Sequence, residues 1–194
     1  MFPHCDTTEH LAEGRFLRLD LIHWTDATGA ARKWEAAQRP GTNLAALVVA
    51  TLRPSNRVIL IRQFRPPVNS FVIEMPAGLV DPGETVEQAA VRELKEETGY
   101  EGTVTWQTGP CSSSAGLSGE LVSVVFMDIP EDSPANQLHQ RNLQEGEDIS
   151  LKLVSLEELP QVLSAAVQNG DLVDSRLASW AAAQGVRWKA VVSG

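Results

Sequence analysis

The stretch GLVDPGETVEQAAVRELKEETGY, Gly78–Tyr100, reads as a strand exit, a tight loop and a helix. Asp81-Pro82-Gly83-Glu84 puts proline and glycine at the two central positions of a type II turn. Thr85 with Gln88 three residues on matches a capping box, so the helix starts near Thr85, and Gly99 is placed to end it. Inside it, Val86, Ala90 and Leu94 recur every four residues as a buried stripe. Glu93, Glu96 and Glu97 gather on one exposed sector, about 100° wide by helical-wheel arithmetic.

That gathering is costly. Each like-charge neighbour on an isolated helix costs about 0.2–0.5 kcal/mol, and the helix macrodipole opposes anions near its C-terminus. A divalent cation removes the conflict, and an oxygen-rich ligand set suits Mg²⁺ or Mn²⁺. The plain alternative is a solvated helix laced with Glu–Lys and Glu–Arg pairs. Arg92 can clamp Glu84 bidentately, which would tie the loop to the helix and keep the ligands in register.

Working outward, 194 residues suffice for one domain with a proper core. The formal net charge of −9 argues against a surface built for nucleic acid or acidic lipid. No apolar run approaches the length of a membrane span. Two cysteines, Cys5 and Cys111, make no disulfide framework, so a reducing cytosol is the expected compartment.

Residues 1–14 read as a loose, flexible arm. RFLRLDLIHW (15–24) and ARKWEAAQR (31–39) read as two strands of a hairpin turned at Asp26 and Gly29, within an N-terminal unit spanning 15–42. The main domain, 43–190, starts with LAALVVATLR (44–53), a run expected of a strand covered on both faces. RVILIRQFR, FVIEMPA, GTVTWQTG, LVSVVFMDI and ISLKLVSL follow as strands, and two helices close the chain, the first with Pro160 in its opening turn. Residues 130–148 form a long polar loop. Strands, one central helix, more strands and terminal helices predict an α+β fold with a mixed sheet.

The spacing of Gly78, Glu84, Arg92-Glu93-Leu94, Glu96-Glu97 and Gly99-Tyr100 resembles the signature of the Nudix hydrolases, with every fixed position filled. The resemblance implies a Nudix-type α/β/α sandwich and hydrolysis of a nucleoside diphosphate linked to another group. It implies Mg²⁺ (or Mn²⁺) held by Glu93 and Glu97, with Glu96 and the carbonyl of Ala77. It also implies a structural Glu84–Arg92 pair, framed by Gly78 and Gly99. RQFRPP (62–67), EMPAGLVDPGE (74–84), GLS (116–118) and GEDI (146–149) resemble the ADP-ribose pyrophosphatase branch, which acts on ADP-sugars. That branch usually carries a Pro-Gly pair where this chain has Ala115-Gly116, so GDP-sugars and dinucleotides stay open as substrates. A Nudix-fold sensor that binds a nucleotide sugar without cleaving it is the non-enzymatic alternative.

By the same resemblance, the general base is Glu147 in the loop before a late strand, with Glu145 and Asp148 as substitutes. A loop base can close over bound substrate, and a solvated loop acid is the alternative. Arg62 and Arg65 end a strand beside the expected site. Their odd separation puts them on opposite faces, so both are not expected to touch one phosphate. Glu74 is implied as a contact near the terminal sugar, and Gly116 and Leu117 lie in the substrate loop. Trp34 offers adenine a flat π-face, Phe16 aligns more weakly, and Trp24 is a nearby substitute. The branch also implies a homodimer through the N-terminal sheet, with no nucleic-acid or membrane partner.

Overall fold

The computed structural model describes residues 1–138, 140–143 and 148–189. Its first strand corrects one reading. Residues 1–14, expected as a loose arm, contain β1 (His4–Glu13), paired antiparallel with β2 (Arg18–Thr25). β1 is exposed along its whole length, so no apolar alternation marks it in the sequence. It is held by the backbone ladder and by His10 Nδ1, 2.8 Å from the carboxylate of buried Asp20. β3 (Ala31–Gln38) completes a small antiparallel sheet in the order β1-β2-β3. The expected hairpin turn joins β2 to β3. Asp26 accepts from the amides of Thr28 and Ala30 at 2.9 and 3.0 Å, and Gly29 takes a φ of 85°.

The main sheet is mixed, as expected, and its strand readings hold except at 71–77. β4 (Leu44–Arg53), β5 (Val58–Arg65) and β6 (Ser70–Glu74) come first. The stretch expected as one strand at 71–77 is two: β6 ends before Met75-Pro76, and β7 (Ala77–Leu79) moves across to pair with β4 instead of β5. Proline has no N–H to continue a ladder, so the chain changes neighbours there. α1 (Val86–Thr98) follows, then β8 (Thr103–Gln107), β9 (Cys111–Ser112) and β10 (Leu121–Pro130). β10 runs parallel to β4 over ten residue pairs. The long polar loop contains one short helix, α2 (Pro134–Leu138). β11 (Ile149–Val154), α3 (Leu159–Gln168), β12 (Leu172–Val173) and α4 (Ser175–Ala183) finish the chain.

Alternation along β4 explains the layers. Leu47 and Val49 face a core closed by Leu159 and Leu163 of α3 and Leu177 of α4. Ala46, Val48, Ala50 and Leu52 face the opposite core, closed by Ala89, Ala90 and Leu94 of α1. The sheet is therefore the middle of an α/β/α sandwich, covered on both sides. Val86, read as part of the buried stripe, is only half-buried at the edge of that core. Among the described residues no helix is long and apolar enough to cross a membrane.

The start of α1 is set by its own chemistry. Thr85 Oγ1 accepts from the Gln88 amide at 3.2 Å, and Gln88 Oε1 accepts from the Thr85 amide at 2.8 Å. Gly99, at φ 76°, closes the helix with its N–H on the Lys95 carbonyl. Thr85→Ala should cost about 1 kcal/mol, read as a lower urea midpoint with an unchanged slope. An unaltered midpoint would mean that the box does not hold the helix start.

Candidate active site

The loop before α1 is a turn of the expected kind: the Glu84 amide donates to the Asp81 carbonyl at 3.0 Å, and Gly83 has a φ of 85°. It delivers Glu84 to Arg92, which sits two turns into the helix. Arg92 Nε and Nη2 donate to the two oxygens of Glu84 at 3.0 and 2.8 Å, and Nη2 also donates to the Leu79 carbonyl at 3.0 Å. Nη1 reaches Glu93 at 2.6 Å and Glu96 at 3.4 Å. Hydrogen bonding from Arg92 draws the Glu84 carboxyl below its ordinary range, and the same bonds push the arginine further above its own.

The glutamates do not lie on an exposed sector. Glu93 and Glu97 are 8% and 4% exposed. The reason is β7, which lies across the helix and has no side chain at Gly78. A Cβ built there would sit 1.9 Å from the Glu93 carboxyl carbon. Glu97 Oε2 accepts from the Ala77 amide at 3.2 Å. Glu96 is less buried and stays at the rim, while its carbonyl accepts from the Asn142 amide at 3.0 Å.

Among the described residues, no three acidic, His or Cys side chains stand together as a ready cage. Arg92 is drawn between Glu93 and Glu96 and occupies their facing oxygens. The donor chemistry nevertheless fits a hard divalent cation. Two buried carboxylates one helical turn apart face a strand whose glycine leaves room that a Cβ would fill.

Two cavities meet here. The smaller, about 280 Å³, is lined by Gln63, Arg92, Glu93 and Glu97 among others. The larger, about 500 Å³, is lined by Glu74, Glu120, Asp174 and three arginines, Arg39, Arg65 and Arg176. Arg65, Ala77, Gly78 and Leu79 line both. Arg65 Nε donates to Glu74 at 2.9 Å. Burial pushes the Glu74 carboxyl up, and the Arg65 bond opposes that without reversing it.

Arg62, as its parity requires, points the other way from Arg65. Its Nε and Nη2 donate to Asp171 at 2.7 and 2.8 Å, it stacks 3.6 Å over the Phe71 ring, and it lines neither cavity. Trp34 is half exposed, and its indole N–H donates to the Gly116 carbonyl at 3.3 Å. Leu117 is joined to the same strand, its carbonyl accepting from the Ala37 amide at 2.9 Å. Trp34, Gly116 and Leu117 therefore form one corner, with Ala115 exposed in its turn. Phe16 is largely exposed, under the Arg15 guanidinium, and Trp24 is half-buried in β2. Glu145 and Glu147 lie outside the described residues; Asp148 is exposed, and its charge acts on Arg62.

Sequence reading missed Arg39, Glu120, Asp174 and Arg176. Arg39 ended a strand, and Asp174 carried only the signal of a residue that starts a helix. Neither reveals which cavity the fold brings them to.

Residues 41–175 match the NUDIX domain family. The chain is 37% identical to an uncharacterised Nudix hydrolase of Schizosaccharomyces pombe, covering 87% of this chain and 85% of that protein. It is 31% identical to an ADP-ribose pyrophosphatase of Saccharomyces cerevisiae, covering 89% and 77% respectively. The crystal structure of an ADP compounds hydrolase shares the fold, with a TM-score of 0.64 at 22% identity over 95% of this chain and 97% of that one.

The close approach at Gly78 is open to test. Gly78→Ala forces the Glu93 carboxylate off β7, so Mn²⁺ affinity by titration calorimetry should fall by about tenfold or more, while far-ultraviolet circular dichroism stays native. Unchanged Mn²⁺ affinity would detach Glu93 from cation binding.

Proposed function

The chain belongs to the Nudix family, and from that premise we propose that it hydrolyses the diphosphate of an ADP-sugar, with ADP-ribose giving AMP and ribose 5-phosphate. The observation that carries this reading is the buried Glu93–Glu97 pair against Gly78, opening beside Arg65 into a larger polar cavity. The yeast relative's name supports ADP-ribose as the first substrate to try.

Glu93 and Glu97, with Glu96 and the Ala77 carbonyl, would hold Mg²⁺ or Mn²⁺. When bound, the cation supplies positive charge against the phosphoryl oxygens and makes a bound water more acidic. The chain's own residues do the rest. The Arg92–Glu84 pair keeps the helix and loop in register, so the carboxylates do not move when the diphosphate arrives. Arg65, on the wall common to both cavities, donates to the diphosphate oxygens, and Glu74 orients its guanidinium. Trp34 stacks the base, with Gly116 and Leu117 shaping its edge and Phe16 a weaker candidate beside them. Glu147 is the proposed base that takes a proton from the attacking water, with Glu145 or Asp148 in its place otherwise. Arg62, a further candidate for substrate binding by the resemblance, is paired with Asp171 and lines neither cavity, so Arg65 is the better candidate.

A non-catalytic sensor would have little reason to keep all three glutamates, and all three are present. The exposed thiols of Cys5 and Cys111 fit a reducing cytosol. A substrate series of ADP-ribose, other ADP-sugars, GDP-mannose, UDP-glucose and dinucleoside polyphosphates, each with Mg²⁺ and with chelator, tests the reading. ADP-ribose should give AMP and ribose 5-phosphate with Mg²⁺ alone, and Glu97→Gln should abolish turnover with the fold intact. Full activity in Glu97→Gln would make the metal assignment wrong.

The proposed assembly is a homodimer through the N-terminal sheet. Phe16, Leu17, Leu19, Trp34 and Leu117 leave large apolar surfaces exposed on or beside it. Sedimentation at micromolar concentration should give twice the chain mass, and a monomer there removes the assembly.

A further inference from the structure

Gln63 stands two residues before Arg65 at the outer end of β5. Both point to the face that Ile59 turns toward the core under α1. Gln63 lines the smaller cavity together with Glu93 and Glu97. Its backbone is held from both sides: it is paired with Val72 of β6 and with Ile149 of β11. Cross-strand partners share a face, and both of these side chains are buried and apolar. A carboxamide is thus set between two hydrocarbon neighbours, on a strand paired along both edges.

That placement is unfavourable by itself. Gln63 Oε1 is buried and, among the described residues, has no hydrogen-bond partner. A buried acceptor left without a donor costs stability, and a methionine would fill the space without that cost. Trp24 Nε1 and Gln107 Oε1 are orphaned in the same way, but neither residue lines either cavity. Arg92, Arg65 and Glu97, which share the smaller cavity, all have partners: Arg92 has Glu84, Glu93 and Glu96, Arg65 has Glu74, and Glu97 has the Ala77 amide. The group that satisfies Gln63 Oε1 must bring a donor. A diphosphate oxygen would set acceptor against acceptor, whereas a water brings two O–H donors. A carboxamide oxygen carries no net charge, so it can hold a water without adding a further anion beside Glu93 and Glu97.

We propose that Gln63 is a further catalytic residue, whose side-chain oxygen accepts a hydrogen bond from the water that attacks the diphosphate. The proposal rests on the hydrolase reading above. In that reaction the water oxygen forms a bond to one phosphorus while the bridging P–O bond breaks, and the electron pair of that bond leaves with the departing phosphate. One proton of the water passes to the general base. The other stays on the new P–O–H, and this is the proton that Gln63 holds. With one O–H turned to Gln63, the other proton and a lone pair are left to face the base and the phosphorus. Gln63 neither gains nor loses a proton, so its contribution is the same at every pH.

The test is Gln63→Met in the full chain, close in size and without the carboxamide. With Mg²⁺ and ADP-ribose, kcat should fall about three- to tenfold, the size of one neutral hydrogen bond, with the shape of the pH profile unchanged. Mn²⁺ affinity by titration calorimetry should stay the same. So should the affinity for the ADP-ribose analogue with a methylene group in place of the bridging oxygen, which keeps the other phosphate oxygens and is not cleaved. The urea midpoint should hold or rise, because the orphaned acceptor is gone. Gln63→Leu, which lacks even the weakly accepting sulfur of methionine, should lose kcat in the same way. An undiminished kcat in both variants overturns the proposal. Weaker binding of the methylene analogue also overturns it and assigns Nε2 to a phosphate oxygen, weaker binding of Mn²⁺ assigns the carboxamide to the cation, and a lower midpoint in Gln63→Met assigns it to packing. If the unsubstituted protein hydrolyses no compound of the substrate series, the hydrolase reading itself has failed and takes the proposal with it.

Discussion

The Arg92 guanidinium is the constraint on which the site depends. One planar cation joins the turn through Glu84, the strand through the Leu79 carbonyl, and the helix through Glu93 and Glu96. Those groups belong to three pieces of backbone, the turn, β7 and α1, and charge-assisted bonds tie the three together. Lysine could supply the charge but not this fork, because an ammonium has no fixed plane of donors. The type II turn and the capping box then act locally to the same end, setting where the helix begins relative to the strand it follows.

The change of neighbours at Met75-Pro76 has a matching effect on the sheet. By leaving β5 for β4, the chain lays Ala77–Leu79 along the boundary of the two cavities. On one side the wall carries buried carboxylates from α1. On the other it meets arginine–carboxylate pairs from the N-terminal sheet, β5 and the C-terminal corner. Buried carboxylates and arginine–carboxylate pairs thus line adjacent volumes, with Arg65 between them.

Most of the architecture was legible because its signals are local. β4 is a continuous apolar run, α1 has caps at both ends, and both turns carry the residues that their geometry needs. The glutamate cluster was legible too, but its burial was not. Helical periodicity gives angles about an axis and says nothing about a strand crossing at Gly78. β1 was missed because an outer strand held by backbone bonds and polar pairs needs no apolar face. Arg39, Glu120, Asp174 and Arg176 were missed for a different reason. Arg39, Glu120 and the Asp174–Arg176 pair are far apart in the chain, and only the assembled sheet brings them together.

The burial of Glu93 and Glu97 gives the helix a particular kind of frustration. Carboxylates in the C-terminal half of a helix oppose its dipole, and removal from water adds to that cost. Arg92 relieves it unevenly. Its Nε and Nη2 are committed to Glu84 and Leu79, whereas Nη1 alone serves Glu93 and Glu96. Of the Arg92 nitrogens, a divalent cation at Glu93 and Glu96 would therefore compete with Nη1. The bonds that hold loop, strand and helix together are not the ones it displaces. The same arginine can keep Glu84 and Leu79 while giving up Glu93 and Glu96, a division of one guanidinium between structure and ligand, while Glu97 is held separately by the Ala77 amide.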